Sequence, residues 1–273
     1  MKPVFTRTDL ARQGQWRPLP LIRDVRYRYL LILAVLVYFC LAFLSIDVNW
    51  ARVAEGMSRA ARFLAAFLQP DFTTRSQDII NGLLESLTMT FTSTVIGVLL
   101  AIPVGVGAAR NIAPLPVYLF CRSIIAISRT FQEVIIAILF VVMFGFGPLA
   151  GMITLAFATV GFMAKLLAED IEDIDERQVE AIRSTGARWL QLMNYAVQPQ
   201  VMPRLIGLSV YRLDINFRES AVIGIVGAGG IGATLNTSLS RYEYGTAAAI
   251  LIIIIAIVML TEYCSGYIRR WVQ

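Results

Sequence analysis

The segment Tyr211-Arg212-Leu213-Asp214-Ile215-Asn216-Phe217-Arg218-Glu219 sets two arginines, two carboxylates and an amide inside a run that is otherwise mainly apolar from Val201 to Val226. On a helix, Asp214 and Arg218 are four residues apart and can pair on one face, while Arg212, Asn216 and Glu219 project from another. A guanidinium presents a rigid fork of donors that can hold an oxyanion in two places at once. Arg129 and Glu133 repeat the combination inside the apolar run Val117 to Phe144. Near the centre of a bilayer each such charge costs about 2.5 to 3.5 kcal/mol on insertion scales unless it is paired or faces a wet cavity. Pairing between helices accounts for one set. The presence of both, with Arg129 and Glu133 at similar depth, favours a pathway lined by Arg212, Asn216, Glu219, Arg129 and Glu133, with Asp214 and Arg218 as a structural ion pair.

These residues need a membrane bundle to position them, and the composition supplies one. Of 273 residues 57% are hydrophobic and 16% charged, and the mean hydropathy is +0.67; soluble domains run at about 25% charged. Histidine is absent, which removes His general bases, Ser-His and Cys-His nucleophile pairs, His-rich zinc sites and His-ligated haem. Cys40, Cys121 and Cys264 are far apart in apolar stretches, without the spacing of a metal knuckle or redox pair. The net charge of +5 rests on 22 arginines and the two lysines Lys2 and Lys165. In a membrane protein that excess reports topology before it reports nucleic acid, for which nothing here argues.

A bilayer core of about 30 Å needs about 20 apolar helical residues. Six windows qualify: Tyr27 to Ile46, Ser86 to Ala109, Val117 to Phe144, Leu149 to Ala168, Val201 to Val226 and Ala247 to Ser265. The third is interrupted by Ser128-Arg129-Thr130-Phe131-Gln132-Glu133. Its halves are each too short to cross alone, so it is expected as one long tilted helix, with five or seven spans as the alternatives. The fold class expected is all-α, a polytopic bundle of about six transmembrane helices. Arginines in the tail 1–26, Arg269 and Arg270, Arg110 and the stretch from Lys165 to Arg204 place both termini and residues 169–199 in the cytoplasm. The connection 47–82 is then external. From Ala51 to Leu68, Arg52, Glu55, Arg59 and Arg62 share one helical face, and Val53, Met57, Ala60, Leu64 and Phe67 the opposite one, as in a helix lying in the interface plane or packed on the bundle.

Residues 169–199 are the longest polar stretch inside the bundle and keep helical periodicity. Val179, Ile182, Gly186, Trp189, Leu190 and Met193 fall on one stripe that a second protein could cover. The acids from Glu169 to Glu176 lack the spacing and glycine of a calcium loop and read as a solvated face; no metal site is expected. Gly227-Ala228-Gly229-Gly230-Ile231-Gly232 fits G-x-G-x-x-G, but no βαβ pattern surrounds it and no acid follows about 20 residues on. Gly227, Gly229, Gly230 and Gly232 are expected instead to let helix ends pack closely in a re-entrant turn at an outer gate. Gly145-Phe146-Gly147-Pro148 reads as a tight turn between spans.

Glu180-Ala181-Ile182, Gly186 and Pro199 resemble the EAA loop of ABC importer permeases, whose pattern is EAA, three residues, Gly, nine residues, Ile-x-Leu-Pro; Ile182 replaces the second Ala, Ala196 the Ile and Gln198 the Leu. FVVMFGFGPLAG (140–151), VEAIRSTGA (179–187), PQVMP (199–203) and YRLDINFRESAVIGIVGAGGIG (211–232) resemble the phosphonate ABC transporter permeases in particular. The resemblance covers about residues 75–270, and the transporter domain is drawn at 83–270 with 27–46 as a separate first span. It implies a type I ABC importer permease moving phosphonate or a related phosphorus oxyanion by alternating access in the bacterial inner (plasma) membrane. It also implies two copies forming the pathway, two ATPase subunits carrying ATP and Mg docked on 169–199, and an external substrate-binding protein. The arginine forks are consistent with such an anion. In the loop, Gly186 permits close backbone approach or a turn, Glu180 can accept charge-assisted hydrogen bonds, and Pro199 ends the connection.

No G-x-x-x-x-G-K-[ST] phosphate loop occurs, so ATP hydrolysis is expected on a partner and no cofactor on this chain. An intramembrane enzyme is the rival of another class; the absence of His and of a GxGD signature argues against it. Phosphite, inorganic phosphate or another solute as cargo is the rival within the class.

Overall fold

The computed structural model describes residues 24–46 and 48–272, without the side chains of Val25 and of 268–272. The basic tail and the Arg269 and Arg270 side chains, on which part of the topology expectation rests, lie outside the described residues. The described elements are helical: α1 (Val25–Leu44), α2 (Trp50–Ala66), α3 (Ser76–Gly107), α4 (Leu115–Thr130), α5 (Glu133–Phe144), α6 (Pro148–Glu172), α7 (Glu176–Ser184), α8 (Trp189–Leu192) running through a π-helical turn (Met193–Val197) into α9 (Gln198–Ile225), then α10 (Gly230–Ser240) and α11 (Tyr244–Val272).

Residues 1–59 and 60–273 form two units. In the first, α1 is apolar from Tyr29 onward and none of its described side chains is buried, as suits a helix surrounded by lipid. Asn49 begins α2 by accepting the Arg52 N–H at 3.1 Å, the usual way to satisfy a free first-turn donor. In the second unit Phe63 of α2 meets Phe67 and Tyr244 edge-on, with ring centroids 5.4 and 5.8 Å away, so the end of α2 is packed on the bundle.

The centre of the second unit is the α3–α6 pair. A Cβ on Gly97 would meet Thr159 Cβ at 2.5 Å and one on Gly105 would meet Leu167 Cδ2 at 2.9 Å; the two helices touch through backbone where side chains are missing. Helix α3 starts at Ser76 rather than Ser86, because the polar positions Gln77, Asp78 and Asn81 are the exposed side of a turn whose Ile79 and Gly82 are buried. One apolar cluster, including Ala101, Met163, Leu167, Ile171, Leu192 and Val201, fills the end nearest residues 169–199. Two smaller clusters, around Leu155 and Ile223 and around Ile231 and Ile250, fill the other.

The expected long tilted third span is corrected. It is two helices, α4 and α5, bent by 94°. Phe131 and Gln132 are both extended, at φ −97°, ψ 138° and φ −71°, ψ 143°. Arg129 sits in the last turn of α4 and Glu133 in the first turn of α5, each the charge that complements its helix end. Two short helices with matched ends are thereby preferred to one helix carrying five polar residues. Among the described residues five helices are long and apolar enough to span, or six if the bent pair crosses as one.

Candidate functional site

Arg212, expected on a polar face of α9, is only 3% exposed. Its Nη2 lies 3.3 Å from Glu219 Oε2 and 3.8 Å from Glu133 Oε1. Its Nε donates to Thr159 Oγ1 at 3.2 Å, and its guanidinium carbon stands 5.3 Å from the centre of the Phe162 ring. One buried cation thus ties α9 to α5 and α6. Asn216, one turn on and fully buried, donates from Nδ2 to Thr94 Oγ1 at 2.8 Å and Thr159 Oγ1 at 3.0 Å, joining α9 to α3 and α6. Both threonine hydroxyls donate in turn to carbonyls of their own helices, Thr90 and Leu155, so the hydroxyl and amide donors of the network all reach acceptors.

Beside Arg212 is a cavity of about 360 Å³ at the α4–α5 corner, lined by Ser128, Arg129, Thr130, Phe131, Gln132, Glu133, Ala158, Phe162 and Arg212. The bend makes this cavity: a straight helix would carry its polar residues around several faces, whereas the corner turns 128–133 toward one volume. The structure therefore brings Arg129, Glu133 and Arg212 to one cavity. Asn216 and Glu219 stand behind, among packed residues, and do not line it. The threonines of α3 and α6, and Phe162, escaped the sequence reading because nothing in a mainly apolar helix distinguishes a threonine bonded to its own backbone from one that also receives a neighbour's donor.

Asp214 and Arg218 form an ion pair, and Asp214 Oδ1 also accepts from Thr261 Oγ1 at 2.8 Å. Asp214 is 3% exposed, whereas the Arg218 side chain is nearly half exposed. The pair anchors α9 to α11 on the side away from the cavity; Thr261 is the partner that sequence reasoning did not find.

In residues 169–199, Asp175 caps α7 by accepting from the Arg177 N–H at 3.0 Å. Glu180 and Ala181 are exposed and Ile182 half-buried. Gly186 ends the helix at φ +78° with no atom of this chain near its absent side chain, as the expected turn requires. Pro199 lies in the first turn of α9 directly after the π-helical turn, so the helix runs on through it and it does not end the connection as expected. The expected single stripe divides: Val179, Ile182 and Met193 pack on the bundle's own core, while Trp189 and Leu190 are exposed at 53% and 67%. A groove of about 250 Å³ runs past them, lined by residues including Val179, Glu180, Arg183 and Trp189. The preceding acids are not all one solvated face. Asp170 is buried and pairs with Arg204 at 2.9 Å, and Glu172 accepts from Arg122 and from the Arg110 N–H, each at 2.8 Å. Among the described residues no group of three or more metal-ligating side chains occurs.

Gly227, Gly229, Gly230 and Gly232 link α9 to α10, an eleven-residue helix where the sequence reading placed only a turn. A Cβ on Gly232 would lie 2.0 Å from the Ala221 carbonyl oxygen and one on Gly229 would lie 2.7 Å from Pro148 N. The α10 N-terminus is satisfied from α3: the Gly230 N–H donates to Glu85 at 3.0 Å and the Ile231 N–H to Ser86 at 2.9 Å.

The profile of the family described as binding-protein-dependent transport system inner membrane component matches residues 81–273. The phosphate-import permease protein PhnE of Mycolicibacterium smegmatis is 38% identical over 86% of this chain, which spans 44% of that longer protein. The phosphite transport system permease protein PtxC of Stutzerimonas stutzeri is 40% identical over 79% of this chain and 78% of its own length. In fold, the chain matches an inward-facing MetNI methionine ABC transporter with a TM-score of 0.64 at 24% identity, covering 74% of this chain and all of that one. It matches a bacterial alginate ABC transporter at 0.57 and 18%, covering 91% of this chain and 98% of the other.

Proposed function

Because the chain belongs to the binding-protein-dependent transport system inner membrane component family, we propose that it is the permease subunit of an ATP-driven importer, passing phosphonate or a related phosphorus oxyanion across the bacterial plasma membrane by alternating access. The observation that carries the anion is Arg212, buried yet open to the cavity at the α4–α5 corner. Bringing an anion into low dielectric is costly unless fixed donors replace its water. Arg212 and Arg129 supply such donors on the two sides of one volume, while Asn216 and Glu219 hold Arg212 in position.

In this reading two copies form the pathway, and ATP and Mg act on two separate ATPase subunits. Residues 169–199 face those subunits, both termini lie on the same cytoplasmic side, and an external binding protein delivers the cargo. Glu180, Gly186 and the exposed Trp189 and Leu190 are the docking elements, since they stay accessible while the remaining apolar positions of α7 and α8 hold the loop to the bundle. Gly227, Gly229, Gly230 and Gly232 form the tight corner at the outer gate. The names of the relatives support phosphate and phosphite as cargoes alongside phosphonate. The test is uptake into proteoliposomes holding the permease, its ATPase and its binding protein. Saturable, ATP-dependent uptake of labelled methylphosphonate, phosphate or phosphite is expected; uptake of none of the three refutes the proposal.

A further inference from the structure

The cavity beside Arg212 has an acceptor as well as donors. Glu133 lines it, a third of its side chain exposed, with Oε1 3.8 Å from Arg212 Nη2. Glu219 meets that same nitrogen at 3.3 Å and also hydrogen-bonds the Glu133 side chain, but it is not among the lining residues, so of the two carboxyls Glu133 is the one turned to the open volume. An ionised carboxylate can only accept hydrogen bonds. It attracts an oxyanion oxygen that still carries a proton and repels one that does not.

We propose that Glu133 is a specificity-determining residue that selects tetrahedral oxyanions bearing an ionisable proton over proton-free oxyanions of the same shape and charge. This rests on the reading above, in which the cavity belongs to the anion's path. The acidic P–OH of a phosphonate, phosphate or phosphite monoanion donates to Glu133, while its remaining oxygens accept from Arg212 and Arg129. A sulfonate or sulfate satisfies the arginines but sets lone pairs against the carboxylate, and a polar group left facing no partner is what makes such sites discriminating. The charged groups facing the cavity are Arg129 from α4, Glu133 from α5 and Arg212 from α9, with Glu219 of α9 behind them in contact with both Arg212 and Glu133; α6 contributes the uncharged Ala158 and Phe162.

Methylphosphonate and methanesulfonate are the controlled pair, for both are tetrahedral and singly charged at mildly acidic pH and only the first carries the proton. Titrated calorimetrically into the full chain in lipid nanodiscs, methylphosphonate is expected to bind at least about tenfold more tightly. Glu133→Gln, whose amide can donate as well as accept, is expected to narrow that ratio at least about threefold, mainly by admitting the sulfonate. Independently of any variant, wild-type affinity for methylphosphonate is expected to fall as pH rises through its second ionisation while that for methanesulfonate stays level. Equal affinities for the two anions, or an unchanged ratio in Glu133→Gln together with a level phosphonate profile, overturns the role of Glu133 and leaves the path standing. Binding of neither anion overturns the path and Glu133's role together.

Discussion

Replacing Arg212 by methionine removes a cation of similar length while leaving Glu219 and Glu133, which lie 3.3 and 3.8 Å from its Nη2, converging on an apolar tip. Breaking a buried pair from one side costs about 3 to 5 kcal/mol, because the surviving charge has no partner. Here the lower end applies, since the Glu219 and Glu133 side chains keep 24% and 33% of their exposure and are partly screened. The lost hydrogen bond to Thr159 adds about 0.6 kcal/mol, the mean for such bonds within membranes. Arg212→Met is therefore expected to lose about 3 to 4 kcal/mol. Adding Glu219→Gln removes one of the two stranded charges and should restore at least about half of the loss. Transport must not follow: the double variant assembles but keeps only the Arg129 fork, so ATP-driven uptake stays near background. Reversible unfolding in mixed micelles gives the stabilities and proteoliposome uptake the function. If stability and uptake recover together, the cluster only holds helices together and Arg212 is no part of the path.

Thr261→Val strands one oxygen of the buried Asp214, which accepts its hydroxyl at 2.8 Å; a loss of about 1 to 2 kcal/mol in the same unfolding assay is expected, with uptake per folded molecule unchanged. A Cβ on Gly186 meets no atom within 4 Å, so Gly186→Trp should insert normally with about 1 to 2 kcal/mol of local strain from its positive φ, yet lose substrate-stimulated ATPase activity; normal stimulation refutes its place in docking. With the native cysteines replaced, single cysteines at the exposed positions Thr74 and Ser240 should label from the face opposite to one at Ser184, and labelling of all three from one side refutes the topology. Hydrogen bonds from Thr74 and Thr73 hold the Asp71 carboxyl well below the usual carboxylate range. The turn gains that stability above the ordinary carboxylate pKa and loses it as pH falls below, so faster amide exchange at Thr73 and Thr74 in acid, after correction for intrinsic rates, is the expected result.

The spans were legible because lipid imposes one rule, a long apolar helix, and five of the six windows contain such helices. The sixth failed for an informative reason. Length and hydropathy do not register that Arg129 and Glu133 lie at the ends of two helices, where their charges are favourable, instead of inside one. The pair Asp214 and Arg218 could be anticipated from local spacing alone. Thr94, Thr159 and Thr261 could not, since their partners are 122, 57 and 47 residues away. The stripe on residues 169–199 was correct as periodicity but could not say which of its residues its own bundle would cover.

At its glycines the α3–α6 contact sets the side chains of one helix directly on the main chain of the other. Where Gly97 rests on Thr159 and Gly105 on Leu167, sliding by even a fraction of a turn would drive a methyl into a main chain, so the two helices must travel as one rigid beam. Motion that opens the molecule first to one side and then to the other has to be absorbed at a joint, and the two extended residues Phe131 and Gln132 are the natural axle. That axle forms a wall of the Arg212 cavity. Rotation of α5 about it would swing Glu133 toward or away from the guanidinium, so one hinge would both reorient the path and change the charge that a passing anion meets.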